Sequence, residues 1–258
     1  MDVSANGLRV LVTAGAAGIG RAIAATFSAH GARVHLCDID RAALDETKRA
    51  LPQVTQTVAD VAILAEVDRL FADAKRALGG LDVLVNNAGI AGPTAKVEDI
   101  RPEDWDRCIA VDLNSMFYCT RLAVPLIKAA GGGSIINLSS VAGRLGFPLR
   151  TPYAAAKWAV VGFTKSLAIE AGPDKVRVNC IQPGNVEGDR INRVIDAKAQ
   201  ALGIPFAQQK QKLLETASLR TFVSAQDIAN VALFLATDAG KHISGQALSV
   251  CGDLTYTI

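Results

Sequence analysis

The sequence predicts a single α/β domain, a doubly wound parallel sheet with helices on both faces, and three observations carry that expectation. Short β-branched runs alternate with longer segments of helical period along the chain. Each return to a parallel strand needs a crossover, which the intervening helices supply. With 258 residues, 50% hydrophobic and 20% charged, the chain can bury one large core. Sheets of this kind bind ligands at the carboxyl ends of their strands. The unusual residues of the sequence cluster there.

The elements follow in order. "LRVLVTA" (8–14) reads as a buried strand, and "GRAIAATFSAH" (20–30) as a helix that Gly31 stops. "ARVHLCD" (32–38) is a second strand, and "DRAALDETKRAL" (40–51) a polar helix. "TQTVADV" (55–61), the helix "ILAEVDRLFADAKRAL" (63–78) and "LDVLVNN" (81–87) repeat the alternation. A long helix is expected over 102–130, then the strand "SIINLSS" (134–140), a helix over 152–171 and the strand "VRVNCIQ" (176–182). "AQDIANVALFLAT" (225–237) and "QALSV" (246–250) close the pattern as helix and strand.

Bulk properties exclude several classes. Lys plus Arg minus Asp plus Glu is 27 − 25 = +2, so no general field draws in nucleic acid or membrane. The first residues lack a basic segment followed by a long apolar one, so neither a signal peptide nor a spanning helix is expected. Cysteines 37, 108, 119, 180 and 251 are odd in number and scattered, which reads as reduced, mostly buried thiols of a cytoplasmic protein. Histidines 30, 35 and 242 have no metal-ligand spacing, so no metal is expected.

Four features could carry chemistry. "TAGAAGIG" (13–20) places Gly15, Gly18, Ile19 and Gly20 between the first strand and helix. Such a turn sets backbone N–H groups and the positive helix end against a phosphate, although tight strand–helix packing without a ligand also calls for glycines. Asp38 ends the second strand, where a carboxylate accepts from an adenosine ribose and repels a 2′-phosphate. Together these favour a dinucleotide and leave an S-adenosylmethionine-binding methyltransferase open. In "TPYAAAKWAVVGF", Tyr153 and Lys157 lie four apart on one helix face. A free tyrosine ionises near pH ~10, so proton transfer near neutrality needs a field worth roughly 4 kcal/mol on the phenolate. A neighbouring ammonium supplies such a field. Ser140, thirteen residues before Tyr153, could donate to a substrate oxygen as charge develops.

In this order, the loop, Asp38, "NNAG" (86–89), Ser140, the Tyr153/Lys157 pair and "PG" (183–184) resemble the short-chain dehydrogenase/reductases, through "ISGQALSV" near the end. The resemblance implies a Rossmann-like fold that binds NAD and oxidises or reduces a secondary alcohol or ketone. It implies that Tyr153 is the general acid/base, Lys157 holds the nicotinamide ribose and supports the phenolate, and Ser140 holds the substrate oxygen. Asp60 and Val61 would lie by the adenine, Asn87, Ala88 and Gly89 along the cofactor, and Pro183, Gly184 and Val186 by the carboxamide. The paired helices of the family imply a homotetramer. A 3-oxoacyl-carrier-protein reductase is the near rival, although such enzymes usually prefer NADPH, and a catalytically silent nucleotide sensor is the rival from another class.

The chain departs from the family pattern in three places. Ala14 stands where the loop's first glycine usually lies, and Asp112 replaces the Asn that is the fourth catalytic member, with Asn114 two residues on. Gly188 replaces a frequent Thr after "PG". Ala17 occupies the position where NADP-preferring relatives often carry a basic residue. The stretch 188–222 takes the place of the substrate lid and is expected to be helical in two pieces. Arg144, Arg150, Arg190 and Arg193 flank the site; one could clamp an anionic substrate, but solvated surface arginines are the expected reading. Cys108 and Cys119 are expected in the core or an interface.

Overall fold

The computed structural model describes residues 3–257. Among them, strands β1 (Arg9–Val12), β2 (Arg33–Asp38), β3 (Thr55–Val58), β4 (Val83–Asn86), β5 (Gly133–Leu138), β6 (Val176–Pro183) and β7 (Ala247–Val250) form one sheet. Their order is β3-β2-β1-β4-β5-β6-β7, and every neighbouring pair is parallel. The chain winds outward from β1 to β3 and then restarts at β4 on the other side of β1. That reversal opens a crevice at the carboxyl ends of β1 and β4, where ligands bind in such sheets.

Alternation along the strands builds two apolar layers. Val10 and Val12 of β1 face one layer with Leu36 and Ile181, packed beneath helices α1 (Gly18–Ala29), α2 (Arg41–Ala50) and α9 (Ala225–Ala236). Leu11, Leu84 and Val178 face the other, beneath α3 (Leu64–Leu78), α5 (Ser115–Ala129) and α6 (Thr151–Ala171). Fully buried side chains such as Phe27, Leu36, Leu84 and Ile135 each contribute about 1.5–3 kcal/mol of burial.

Side-chain caps start two of these helices. Asp40 Oδ1 accepts from the Ala43 amide at 3.1 Å and starts α2, and Ser224 with Asp227 forms a capping box on α9. Strand ends fall one or two residues short of their expected limits at β1, β4 and β5, and two further differences bear on the site. Strand β3 stops at Val58 rather than 61, because Asp60 turns the chain and its Oδ1 accepts the Ala62 amide at 2.9 Å. The long helix over 102–130 is α4 (Pro102–Ile109) joined to α5 through a π turn at Ala110–Asn114. A π turn adds a residue to the helical ring and re-aims its side chains. Asp112 sits within it.

The stretch after β6 forms α7 (Asp189–Leu202) and α8 (Phe206–Glu215), the two helical pieces expected. Its stems are tied together: the Glu187 amide donates to the Val223 carbonyl at 2.9 Å, and the Val223 amide to the Asn185 carbonyl at 3.0 Å. No helix among the described residues is long and apolar enough to cross a membrane.

Candidate active site

The loop from β1 to α1 is held from three sides. The Gly15 amide donates to the Cys37 carbonyl at 2.8 Å, the Ala16 amide to Asp38 Oδ2 at 3.1 Å, and the Thr47 hydroxyl to the Ala16 carbonyl at 2.9 Å. From the crevice side, Asn87 Nδ2 donates to the carbonyls of Thr13 and Ala14 at 3.0 and 2.9 Å. A side chain at Gly20 would place its Cβ 2.1 Å from the Ala14 carbonyl oxygen and 2.5 Å from Asn87 Nδ2, so only glycine permits this approach. Helix α1 then begins with Ala17 as its N-cap, with no side-chain acceptor and no acid in the first turn. Its leading amides are therefore left for an outside acceptor.

This cradle fits a dinucleotide's pyrophosphate, and Asp38 stands where a ribose would follow. Its carboxylate is oriented by the loop it borders: Oδ2 takes the Ala16 amide and Oδ1 the Asp40 amide at 3.1 Å. Asp60 lies at the end of β3 but is partly spent inside the protein, since Oδ2 accepts from Arg107 at 3.1 Å; Val61 beside it is buried. Gly184 donates to the Val250 carbonyl at 2.9 Å, which brings "PG" to the same edge, and Val186 bridges to Val223 at the stem of the α7–α8 stretch.

Ser140 lies just past the end of β5, and Tyr153 and Lys157 lie in the first two turns of α6, which packs beside it. Ser140 follows β5 and caps the 3₁₀ turn Val141–Gly143, its oxygen accepting from the Ala142 amide at 3.1 Å. The neighbouring Ser139 hydroxyl donates to the Lys157 carbonyl at 2.8 Å and fastens this turn to α6. Lys157 is buried, its Nζ donates to the Leu138 carbonyl at 3.0 Å, and it lies 5.5 Å from the centroid of the Tyr153 ring. The guanidinium carbons of Arg150 and Arg190 lie 4.7 and 5.9 Å from the same centroid. Three cationic side chains thus border the Tyr153 ring.

A family model described as enoyl-(acyl carrier protein) reductase matches residues 14–255. A D-beta-hydroxybutyrate dehydrogenase of Cupriavidus necator is 37% identical over 254 residues, covering 96% of this chain and 97% of its own length. A short-chain type dehydrogenase/reductase of Sinorhizobium fredii is 35% identical over 262 residues, covering 95% of this chain and 97% of its own. This chain belongs to the short-chain dehydrogenase/reductases. An NAD⁺-bound xylitol dehydrogenase shares 26% identity and superposes with a TM-score of 0.92 over 96% of this chain and 98% of that one. As a short-chain dehydrogenase/reductase, the protein is an oxidoreductase acting on alcohol or ketone carbons with a nicotinamide dinucleotide.

The departures from the family pattern resolve into geometry. Ala14 keeps the left-handed backbone that a glycine would hold, at φ +48°. Asp112 is 2% exposed, and its Oδ1 accepts from the Ile90 amide at 2.6 Å. The Cys108 thiol lies 3.9 Å from Asp112 Oδ2; burial first, then that carboxylate, pushes the thiol up to about 12 and keeps it protonated. Gly188 caps α7 at φ +127°. All five cysteines are free and buried. No cluster of His, Cys, Asp or Glu among the described residues could hold a metal.

The structure corrects the surface reading of the arginines at one position. Arg193 and Arg190 are exposed and Arg144 largely so, but Arg150 is 3% exposed. Three supporting residues were not legible as such. Thr13 Oγ1 accepts from the amides of Asn87 and Ala88 at 3.0 and 3.1 Å. Asn86 and Asn137 join through Asn86 Nδ2 to Asn137 Oδ1 at 2.9 Å, and run on to Thr120 and Thr164 at 3.0 and 2.9 Å. This buried chain ties α5, β4, β5 and α6 together beneath the site. The asparagines, rare inside strands, were its only trace in the sequence.

Proposed function

We infer that the protein is an NAD-preferring dehydrogenase/reductase of secondary alcohols and ketones with Tyr153 as general acid/base. The observation that carries this reading is the Tyr153 ring set among Lys157, Arg150 and Arg190 at the carboxyl edge of the sheet. Gly15, Gly18, Ile19 and Gly20 hold the pyrophosphate, Asp38 the adenosine ribose, and Asp60 and Val61 border the adenine. Asn87, Ala88 and Gly89 line the cofactor, and Pro183, Gly184 and Val186 border the carboxamide. When bound, the nicotinamide accepts or supplies the hydride. Tyr153 takes the alcohol proton during oxidation and returns it during reduction. Ser140 donates to the substrate oxygen, and Lys157 holds positive charge beside the phenol and the nicotinamide ribose. Asp112 fixes the Ile90 backbone beside Gly89, where a Cβ would stand 3.2 Å from both Asp112 Oδ1 and Lys157 Nζ.

The α7–α8 stretch serves as the substrate lid, hinged at its tied stems. Exposed Phe117 on α5, with Trp158 and Ile169 three helical turns apart on one face of α6, supports a homotetramer assembled through these helices. Five free, buried thiols agree with a cytoplasmic enzyme. The carbon–carbon double-bond chemistry in the family model's description belongs to that model; the roles proposed for Tyr153 and Ser140 favour the carbonyl.

A panel of secondary alcohols and ketones with NAD⁺ and NADH, followed by nicotinamide absorbance, tests the assignment. Turnover with at least one member is expected. A protein that binds NADH yet exchanges hydride with no member would instead be a nucleotide sensor.

A further inference from the structure

The four arginines near the site differ in what they do. Arg193 is exposed, and Arg144 turns away to donate to the Leu254 carbonyl at 2.6 Å. Arg150 is different. It is 3% exposed, one Nη2 reaches the Ala91 carbonyl, and its Nε is buried with no hydrogen-bond partner. Among the described residues no carboxylate forms an ion pair with it. The guanidinium lies beside two rings that contact each other edge-on, 4.7 Å from the Tyr153 centroid and 5.7 Å from that of Phe147.

More positive charge surrounds it. Arg190, at the start of the lid, comes within 5.9 Å of the Tyr153 centroid and donates to the Gly89 carbonyl at 3.3 Å. Lys198, also on the lid, is buried with its Nζ 4.7 Å from the Phe147 centroid. Burial, and then Arg150, push the Lys198 ammonium down to about 8. Asp112 is the carboxylate whose field reaches Arg150, and the Ile90 amide already occupies its Oδ1.

Burying a guanidinium costs several kcal/mol, and a carboxylate partner with good geometry is the usual compensation. Ring stacking offsets part of that cost. The orphaned Nε still points to an acceptor that arrives from outside the chain. A planar fork of donors matches a carboxylate in particular.

We propose that Arg150, with Arg190 across from it on the lid, forms a carboxylate subsite beside Tyr153, so that the substrates are short hydroxy acids and the corresponding oxo acids. The proposal rests on Tyr153 being the acid/base of this site. Arg150 precedes Tyr153 by three residues at the start of α6, so both side chains serve one small molecule: the carboxylate at the guanidinium, the carbinol at the phenol. The carboxylate is unchanged by the reaction. In oxidation the carbinol loses its O–H proton to Tyr153 and its C–H hydride to the oxidised nicotinamide, leaving the oxo acid.

The test compares 2-, 3- and 4-hydroxy straight-chain acids with their methyl esters, using NAD⁺ and the full-length enzyme. The preferred acid is expected to exceed its ester at least tenfold in kcat/KM, mainly through KM. Arg150→Met should cut that acid-to-ester ratio at least tenfold, whereas Arg193→Met should leave it in place. Esters used as well as acids would overturn the subsite and leave the alcohol–ketone reading standing. Equal loss of kcat for acid and ester in Arg150→Met would also overturn it, because Arg150 would then only position Tyr153. If no compound turns over either here or in the alcohol and ketone panel, the reading of Tyr153 fails; whenever these acids and esters are all silent, the subsite is judged by titrating 3-oxobutyrate into the enzyme–NADH complex, followed by NADH fluorescence. Binding that Arg150→Met weakens at least tenfold supports the subsite, and absence of binding to the wild type refutes it.

Discussion

Asp112, within the π turn that joins α4 to α5, accepts the Ile90 amide on its Oδ1 at 2.6 Å. The contact needs an acceptor at residue 112, which either a carboxylate or an amide oxygen supplies. Asp112→Asn should therefore keep kcat within an order of magnitude, as steady-state assays would show. A sharp rise in kcat would mean that the carboxylate damages the site. Asp112→Ala, by contrast, leaves the Ile90 amide without its acceptor, and chemical denaturation should show a loss of about 1–3 kcal/mol.

Tyr153→Phe removes the proposed proton carrier and keeps the ring that stacks against Arg150. Turnover should fall about 10²- to 10⁴-fold while NADH binding, measured by fluorescence titration, persists. Substantial residual kcat in the folded variant would remove Tyr153 from its role.

Asp38 should set the cofactor preference. At ~4 Å and an effective dielectric near 20, a carboxylate facing each charge of a 2′-phosphate costs on the order of 4 kcal/mol before screening. The cations that could offset it are few: Arg21 is paired with Glu46 at 2.8 Å, Ala17 offers no charge, and Arg41 is exposed. NAD should exceed NADP by at least ~100-fold in kcat/KM, about 2.7 kcal/mol. Asp38→Ser should erode the ratio by improving NADP binding. Equal wild-type values for both cofactors would show that Arg41 outweighs the carboxylate.

Ala14 holds φ +48°, a conformation that costs an L-residue about 1–2 kcal/mol and glycine very little. After the entropy of the added glycine, Ala14→Gly should stabilise the fold by roughly 0.5–1 kcal/mol, a rise in Tm of about 2 °C. A lower Tm in a calorimetric scan would show that the alanine methyl contributes packing that exceeds the strain.

His35 should shape the acid limb of stability. Its ring lies between the Thr55 and Thr57 hydroxyls at 2.8 and 3.1 Å, and burial pushes its pKa down to about 4, opposed in part by the Asp73 carboxylate and reinforced slightly by the Arg76 guanidinium. The folded chain thus keeps this imidazole neutral where the unfolded chain protonates it below about 6.5. Its contribution is complete above pH ~6.5 and declines by about 3 kcal/mol as pH falls to about 4. Urea denaturation across that window should show a shallower slope in His35→Gln, and an unchanged slope would remove His35 as the cause.

Much of this protein was legible in one dimension. Short β-branched runs and helical-period runs located the seven strands and the main helices, because strands buried on both faces read as apolar runs and helices packed on a sheet carry an apolar stripe. Gly15, Gly18 and Gly20, Asp38, Ser140 and the Tyr153/Lys157 pair were readable because their spacing is local or their order along the chain is distinctive. The tertiary structure decided what depends on contacts between distant segments. The π turn under Asp112 arises where Ile90, twenty-two residues earlier, offers its amide. Arg150, indistinguishable in sequence from Arg144 and Arg193, is buried where the Ala91 carbonyl and the Phe147 and Tyr153 rings gather around it. A charge's solvation is a property of its whole neighbourhood, and elements far apart in the chain assemble that neighbourhood.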